Sequence, residues 1–400
     1  MNNMNELYDF IIIGGGVAGL YCAMNLSKSH KVLLLEANDR LGGRIHTHQN
    51  PQYEIGAGRL HASHTHLLSL LKRFHLNTYP LSRRMDHINQ TDGYVPHVDR
   101  YTEAMIQRVT KSLNEEMRHK TFEEHAISIL GKEDTTRLRE VRGYCGDFQM
   151  NAYDAVMMFR REKKGEFMVV KEGLSELIRR MTHATKARIQ LNHTVKHISY
   201  DGVYHVDRYK ANKIIVALPT QAIESIPFFH EPLFKSVSTI PLIRIYAQYP
   251  SPVWFEGLPH MTTTFVSGHM IPIRDGLIMI AYTEKVEPFL RNGKPLPKKE
   301  IEKKIKEELK TMFPFLSIPD PEWMETYLWN TGYHAWKKGV HSKDVQRELQ
   351  HLSPGLFVCG EAYSDTQGWV EGALETAEKV VNHAEKVVNH AEKVVTQNNS

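Results

Sequence analysis

The feature that most constrains the fold is a glycine-rich turn set between a short apolar run and an apolar-periodic segment. Residues 8–13 read YDFIII, an aromatic and β-branched run typical of a buried strand. Gly14-Gly15-Gly16-Val17-Ala18-Gly19 follows directly, and the apolar-periodic segment continues to about Ser27. This order of strand, G-x-G-x-x-G turn and helix predicts a βαβ unit whose helix N-terminus faces an anion.

Three glycines of this turn and one downstream acid predict what the turn binds. Gly14 permits the tight turn, Gly16 lets the backbone approach a pyrophosphate, and Gly19 lets the helix pack closely on the strand. A second predicted strand covers residues 31–35 and ends at Glu36, which lies 22 residues after Gly14. A carboxylate at this position can accept hydrogen bonds from both hydroxyls of an adenosine ribose. The combination predicts dinucleotide binding.

Composition narrows the class of protein further. The chain has 400 residues, 41% hydrophobic and 24% charged, so it can bury a large core without disulfides or a structural metal. Its formal charge of +4 is too small to indicate a nucleic-acid partner. No apolar run reaches the roughly 18 residues of a membrane span, and the first ten residues lack a signal-peptide pattern. Since Cys22, Cys145 and Cys359 form no paired pattern, we expect a soluble protein of the cytoplasm.

Two further motifs indicate which dinucleotide is bound. Residues 36–47 read EANDRLGGRIHT, in which the glycine pair allows a second close backbone approach and Arg44 places a guanidinium where a pyrophosphate needs neutralising. Near the C-terminus, an apolar run leads into Gly360-Glu361-Ala362, and residues 368–373 (GWVEGA) then open a helix. Together with the glycine turn, these motifs resemble the flavin-containing amine oxidase superfamily, which includes monoamine and polyamine oxidases, L-amino-acid oxidases and protoporphyrinogen oxidase.

The resemblance covers nearly the whole chain and implies an α/β fold with two domains. One is a Rossmann-type FAD-binding domain of discontinuous segments, formed by 1–80, 168–237 and 352–400. The other is an α+β substrate domain, formed by 81–167 and 238–351. The local patterns predict mainly helix in 81–167, strands in 188–198, 213–218 and 277–282, and helices that begin near Gly173 and cover 298–313.

The resemblance also implies a bound FAD and the residues that hold it. Because residues 329–339 contain no cysteine, we expect the FAD to be bound noncovalently. Val195 matches a family valine that contacts adenine through its backbone. Matching the family's motifs residue by residue assigns cofactor binding to Gly14, Gly16, Val17, Ala18, Gly19, Glu36, Ala37, Arg40, Gly43, Arg44, Gly58, Arg59, Leu60, Val195, Gly360, Glu361, Gly368, Trp369 and Val370.

Candidate catalytic residues follow from the same match. The family usually carries a lysine that holds a water at flavin N5, and Arg244 takes its place here. A guanidinium is bulkier than an ammonium and cannot copy an ammonium-held water without adjustment. Trp369 matches one aromatic of the cage around the substrate amine. The facing side of the cage has no clear match, and the candidates are Tyr333 and Trp336. His334, which we expect in a loop beside the substrate cavity, is a candidate acid or base.

Arg59 is a candidate for substrate selection. It matches the arginine with which L-amino-acid oxidases bind the substrate carboxylate, although Gly58 and His61 differ from the methionine and proline of that pattern. A guanidinium can bind a carboxylate through two parallel hydrogen bonds. We therefore treat Arg59 as a hypothetical carboxylate-binding residue, with a contact to flavin or to a surface acid as the alternative.

A histidine cluster and a terminal repeat complete the motifs. His61-x-x-His64-x-His66 has no cysteine with it and no nearby carboxylate to complete a ligand set, so we expect no metal. The heptad AEKVVNH begins at Ala377, repeats from Ala384 and recurs partially after that, which predicts a heptad-repeat terminal helix over 377–397. A short coiled coil is the alternative, and residues 397–400 should fray.

The function implied by the resemblance is oxidation of a C–N bond. A neutral amine, or an L-amino acid, would transfer hydride to the flavin, and the imine would hydrolyse to a carbonyl compound with release of ammonia or an amine. O₂ would take up the electrons and give H₂O₂. The alternatives are a flavoenzyme similar to protoporphyrinogen oxidases or desaturases, a flavin-binding scaffold without turnover, and an NAD-dependent dehydrogenase. The second glycine motif and the terminal motif disfavour the dehydrogenase.

Overall fold

The computed structural model describes residues 6–162 and 165–398, and side chains up to residue 386. The α-helices are α1 (Val17–Leu26), α2 (Thr65–Arg73), α3 (Val98–Val109), α4 (Phe122–Leu130), α5 (Lys132–Arg142), α6 (Cys145–Gln149), α7 (Ala152–Arg161), α8 (Leu174–Ala184), α9 (Thr220–Glu224), α10 (Lys298–Met312), α11 (Ser342–Glu348) and α12 (Val370–Asn398). Short 3₁₀ helices cover Glu115–His119, Pro232–Lys235, Glu287–Phe289 and Glu361–Tyr363.

The strands are short, apart from two in the second half of the chain. They are β1 (Leu7–Ile13), β2 (Val32–Leu35), β3 (Thr47–Gln49), β4 (Gln52–Glu54), β5 (Arg59–His61), β6 (Thr78–Pro80), β7 (Met85–Asn89), β8 (Gly93–Val95), β9 (Phe167–Val170), β10 (Arg188–Gln190), β11 (Ile198–Tyr200), β12 (Tyr204–Val206), β13 (Tyr209–Val216), β14 (Val237–Gln248), β15 (His260–Thr263), β16 (His269–Arg274), β17 (Leu277–Thr283), β18 (Leu290–Arg291), β19 (Lys294–Pro295), β20 (Trp323–Trp336) and β21 (Leu356–Val358).

The chain forms two compact units, and the first comprises residues 1–80, 167–238 and 340–400. Its main sheet has the order β10-β2-β1-β13-β12-β11, with β21 also paired to β13. The pairs β10–β2, β2–β1, β1–β13 and β13–β21 are parallel. Because Ile11–Ile13 and Val32–Leu35 are buried, β1 and β2 form continuous apolar runs, as parallel strands covered on both faces require.

Helices α1, α8 and α12 cover this sheet and share one hydrophobic core with it. The start of the terminal repeat contributes to that core, since Ala377, Val380 and Val381 of the first heptad and Ala384, which opens the second, are buried at the spacing i, i+3, i+4 and i+7. The helical backbone continues to Asn398. The side chains after residue 386 lie outside the described part of the chain, and so do 399–400, the last two of the residues 397–400 that we expect to fray.

The second unit comprises residues 81–166 and 239–339. It contains a seven-stranded sheet of order β20-β14-β17-β16-β15-β7-β8, in which β7 and β15 are parallel. A second hydrophobic core joins this sheet to α10, whose Ile301, Ile305 and Leu309 are buried at helical spacing. Helices α3 to α7 make up most of the segment from 98 to 161. In the part of the chain that the structure describes, no helix is both long and apolar enough to cross a membrane.

Most of the local predictions are confirmed, and one is wrong in part. The expected strand over 277–282 is β17, and the expected helix over 298–313 is α10. The strand expected over 188–198 stops at Gln190, and the chain does not pair again until Ile198. The reason is a contact with a distant part of the chain, because Asn192 has a φ of 55° and the backbone turns there to bond the loop after β2.

Candidate functional site

The glycine turn leaves the N-terminus of α1 open. Gly14 has a φ of 106°, and an added Cβ at Gly19 would lie 2.0 Å from the Gly14 carbonyl oxygen, so both positions require glycine. An added Cβ at Gly16 would meet no atom within 4 Å. Gly16 is the N-cap, no described side chain caps it, and the first turn, which includes Val17 and Ala18, has no acidic residue. The backbone N–H groups of this turn therefore face a space suited to an anion.

Glu36 lies beside this turn at the carboxyl end of β2 and is 6% exposed. Its Oε2 accepts a hydrogen bond from Gly15 N at 2.6 Å, and its Oε1 accepts one from Asn38 N at 2.9 Å. The chain after β10 runs alongside, since His193 N donates to the Glu36 carbonyl at 2.8 Å. Val195 follows two residues later and is buried. The predicted ribose and adenine residues thus lie near one another, next to the open helix terminus.

The second glycine motif closes against the first. Gly42 N donates to the Gly15 carbonyl at 2.9 Å, and an added Cβ at Gly43 would lie 3.2 Å from the Gly16 Cα. Arg40 donates from Nη1 to the carbonyls of Leu41 and Ile45 and from Nη2 to that of Gly43. These bonds hold the loop in place. The expected contact of Arg40 and Gly43 with the cofactor stays a prediction.

An ion pair joins the opening loop to the terminal segment. Arg44 Nη1 lies 2.5 Å from Glu361 Oε1, and the Arg44 side chain is 30% exposed whereas that of Glu361 is 6% exposed. The other carboxylate oxygen of Glu361 accepts a hydrogen bond from Gly368 N at 3.0 Å. The side chain of Glu361 therefore fixes the residue just before Trp369, and two motifs more than 300 residues apart meet in one unit.

Four aromatic rings form a wall beside Gly368. The Trp369 ring stacks on Phe167 with a centroid distance of 5.7 Å and meets the His64 ring edge-on at 5.0 Å. The His61 ring contacts Phe167 at 5.0 Å. Burial lowers the pKa of His64 to about 4, so its imidazole is neutral at physiological pH. We call Trp369, Phe167, His64 and His61 the aromatic wall.

Arg59 lies on β5, the strand that carries His61 of the aromatic wall. In the pair β5–β9, Arg59 is opposite Val169, Leu60 opposite Met168, and His61 opposite Phe167. Alternate residues of a strand point to the same face, so Arg59 shares the face of His61. It is half-buried. This placement is compatible with a substrate contact, which stays a prediction.

We expected no carboxylate near the histidine cluster, and this expectation is wrong, because α12 brings carboxylates to His66. Glu371 Oε1 lies 2.8 Å from His66 Nδ1, and Glu378 Oε2 lies 3.0 Å from His66 Nε2. His66, Glu371 and Glu375 form a group whose ligand atoms lie within 4.8 Å of one another. Glu371 also accepts the backbone N–H groups of His66 and Leu67, both at 2.9 Å. It thereby caps α2, a role for the motif's glutamate that the sequence did not indicate.

The remaining candidate residues lie in the second unit. The Arg244 guanidinium lies 4.7 Å from the centroid of the Tyr282 ring, its cross-strand partner in β14–β17. Tyr333, His334 and Trp336 belong to strand β20, not to the loop in which we expected His334. His334 and Trp336 are 0% and 1% exposed, whereas Tyr333 is half-buried. The catalytic and substrate roles of these residues stay predictions.

Sequence reasoning missed a carboxylate in this second unit. Tyr333 Oη donates to Glu284 Oε1 at 2.6 Å, and Gly146 N donates to Glu284 Oε2 at 2.7 Å. Burial raises the pKa of Glu284 to about 7, because desolvation disfavours its charged form more than these hydrogen bonds stabilise it. A glutamate directly after a fully buried strand is the signal that could have identified it.

Comparison with known proteins agrees with this geometry. The sequence profile of the family described as flavin containing amine oxidoreductase matches residues 17–384. The chain therefore belongs to the flavin-containing amine oxidoreductase family, and the family implies an oxidoreductase with a flavin cofactor.

Curated relatives match over short segments. Amine oxidase [flavin-containing] A of Sus scrofa is 36% identical over 85 residues, 20% of this chain and 16% of its own. L-amino-acid oxidase of Mus musculus is 39% identical over 82 residues, 19% of this chain and 13% of its own. L-amino acid oxidase of Cerastes cerastes is 27% identical over 187 residues, 41% of this chain and 36% of its own. The matches thus span well under two thirds of these relatives.

Solved structures match over nearly the whole chain. A putrescine oxidase mutant gives a TM-score of 0.76 at 18% identity, covering 95% of this chain and 99% of its own. A candidate protoporphyrinogen oxidase from Exiguobacterium gives 0.70 at 17% identity, covering 94% and 98%. At these identities the likeness shows the fold alone, a mixed arrangement of helices and strands.

Proposed function

We propose that this protein is an FAD-dependent oxidase of amines that acts on C–N bonds. The observation that carries the proposal is the link from Arg44 through Glu361 to Gly368, since it joins the opening nucleotide motifs to the segment that carries Trp369. Family membership supports an oxidoreductase with a flavin, and the Rossmann-type domain, FAD and the C–N substrate class are our proposals.

The residues present fit an adenine dinucleotide. The space at Gly16, which a Cβ would enter without contact, and the open N-terminus of α1 suit a pyrophosphate. Glu36 presents a carboxylate for the ribose, and Arg44 supplies a positive charge next to the second glycine pair. A noncovalently bound FAD would supply the two-electron oxidant, with O₂ as the final acceptor.

The chain's own groups would bind and orient the substrate. Trp369 and Phe167 present stacked rings that can pack on a neutral amine, and the neutral His64 avoids repelling a cationic one. Arg59 lies on the same strand face as His61, which supports an L-amino acid as the substrate through a bidentate bond to its carboxylate. We place the protein in a reducing compartment, the cytoplasm, because all three cysteines are free.

Absorbance and peroxide release test this function. The purified protein should carry visible flavin absorbance, and denaturation should release the FAD if it is held noncovalently. Incubation with polyamines, monoamines and L-amino acids should give H₂O₂. A colourless protein would refute the proposal, and coloured protein that no amine or amino acid reduces would favour the scaffold. Reduction by protoporphyrinogen alone would favour the related oxidase.

The role of Arg59 is tested separately. Arg59→Ala should lower kcat/KM for L-phenylalanine about 100-fold, since a charged bidentate bond is lost, and leave phenethylamine within about threefold. Arg59→Lys is the matched control, which keeps the charge but not the paired bonds, and should recover part of the loss. Equal effects of Arg59→Ala on both compounds would show that Arg59 does not bind the carboxylate.

A further inference from the structure

His64 lies at the N-cap of helix α2, but another residue caps that helix. In the described part of the chain, the His64 side chain makes no capping hydrogen bond. Glu371 of α12 accepts the N–H groups of His66 and Leu67 in its place. N-cap side chains ordinarily bond such groups themselves. The imidazole of His64 is therefore available for a different set of contacts.

One hydrogen bond fixes the protonation state of this imidazole. The backbone N–H of His61 donates to His64 Nδ1 at 3.1 Å, so Nδ1 is an acceptor. A neutral imidazole with an acceptor at Nδ1 carries its proton on Nε2. His64 is 2% exposed, and burial keeps the ring neutral by lowering its pKa to about 4, with the charge of Glu371 opposing this shift and that of His61 adding to it. His64 is thus held as a single neutral tautomer.

The Trp369 ring contacts the His64 ring and a second ring of the aromatic wall. It meets His64 at a centroid distance of 5.0 Å and an interplanar angle of 63°, and it stacks on Phe167 at 5.7 Å and 21°. Aromatic pairs favour edge-to-face and offset stacked arrangements of this kind. Because one neighbour is nearly parallel to the indole and the other is steeply inclined, rotation of the indole about its side-chain bonds weakens at least one contact.

Hydrogen bonds fix the backbone around Trp369 but not its ring. Gly368 N donates to Glu361 Oε2 at 3.0 Å, and Glu371, two residues after Trp369, holds the start of α2. These bonds leave the side-chain angles of the indole free, so its two ring neighbours decide its orientation. Of the two, only His64 has a side-chain hydrogen bond that fixes its own orientation, because a phenyl ring has no polar atom.

We propose that His64 is a positioning residue, which holds the Trp369 ring against Phe167 in the orientation that binds the substrate amine. This inference rests on the proposed function, in which Trp369 packs on that amine. His64 acts through Trp369 and transfers no proton, since it stays in one neutral tautomer at physiological pH. All three residues belong to the first unit.

Fluorine NMR of protein labelled with 5-fluorotryptophan tests the position of the ring without turnover. The chain has five tryptophans, and Trp369→Phe identifies the signal of Trp369. His64→Asn keeps an oxygen that can accept the His61 N–H but removes the ring, so the Trp369 signal should shift and broaden. His64→Phe keeps a ring but loses the acceptor, so the signal should lie between those of wild type and His64→Asn.

His87→Asn is the matched control for the loss of a buried neutral histidine. His87 is also 2% exposed, and burial lowers its pKa to about 4 as well. It lies in the second unit, where its Nδ1 is 2.9 Å from Thr262 Oγ1. This variant should leave the Trp369 signal unmoved.

Anaerobic reduction of the bound flavin by phenethylamine measures the effect on the substrate. If the indole adopts the binding orientation only part of the time, the apparent affinity for the amine falls by that fraction, whereas the rate at saturating amine is kept. His64→Asn should therefore raise the half-saturating amine concentration about fivefold and keep the limiting rate within about twofold. His64→Phe should raise it less, and His87→Asn should leave it unchanged. Loss of folded protein alone would not move the half-saturating concentration.

The outcomes separate this inference from the proposed function. If no amine reduces the flavin of wild type, the proposed function fails and this inference falls with it. If wild type is reduced, but His64→Asn matches His87→Asn in both the Trp369 signal and the half-saturating concentration, His64 does not position Trp369, although the function stands. If neither His64 variant folds, nitrogen NMR of wild type decides, because an imidazole of His64 that carries its proton on Nδ1 at neutral pH overturns the inference and one that carries it on Nε2 supports it.

Discussion

Removal of the Glu371 carboxylate should destabilise the first unit, because this one side chain caps α2 from α12. Glu371 is 2% exposed and accepts three hydrogen bonds, from His66 N, Leu67 N and His66 Nδ1, at 2.8 to 2.9 Å. Glu371→Gln keeps one acceptor oxygen but turns an NH₂ group towards a backbone N–H, at a cost of about 2 kcal/mol. Glu371→Ala loses both caps and the charged bond, at a cost of about 4 kcal/mol.

Thermal unfolding followed by circular dichroism measures this effect. For a unit of this size, 2 kcal/mol lowers the Tm by about 4–8 °C. Glu375→Gln, one turn along α12, is the control: its carboxylate accepts a bond from Thr366 Oγ1, and its loss should cost less than about 1 kcal/mol. If Glu371→Gln melts within about 1 °C of wild type, or if the control falls as far, the capping argument is wrong.

The same variant has a predicted pH dependence. Partial burial opposes a charged imidazolium, but the hydrogen bonds and charges of Glu371 and Glu378 outweigh it and raise the pKa of His66. A raised pKa stabilises the fold fully below the ordinary value of about 6.5, and the contribution is lost as the pH rises through the folded value. The difference in Tm between wild type and Glu371→Gln should therefore shrink as the pH rises.

Two further predictions concern the cofactor and the aromatic wall. Gly16→Ala should fold like wild type, because its Cβ meets no atom, but it should bind FAD at least about tenfold more weakly. Gly19→Ala should instead lose stability, because its Cβ clashes with Gly14. Equilibrium dialysis measures the FAD affinity and thermal melting measures the stability of each variant. Trp369→Ala should lower kcat/KM for the amine more than about tenfold. Trp369→Phe should lower it less, because a phenyl ring can still stack on Phe167. Equal losses in the two variants would show that stacking is not what Trp369 contributes.

Local patterns were sufficient where the physical cause is local. The residue pattern of β17 and the apolar spacing of α10 were enough to predict these elements, because a buried strand or a buried helix face produces a pattern over consecutive residues. The local pattern predicted too long a strand for β10, because it does not show that Asn192 turns the backbone towards the loop after β2. It placed His334 in a loop although β20 continues through it, because pairing with β14 overrides a weak local pattern.

By itself, the sequence determined the βαβ unit and the open helix N-terminus at its glycine turn, since the conformation of Gly14 and the closeness of Gly19 follow from the motif and Glu36 ends the next strand. Only the tertiary structure decided that Glu371 caps a helix 305 residues away and that Glu284 meets Gly146 across 138 residues of chain. Such contacts depend on how sheets and helices pack, and no periodicity along the chain encodes which distant polar groups will satisfy one another.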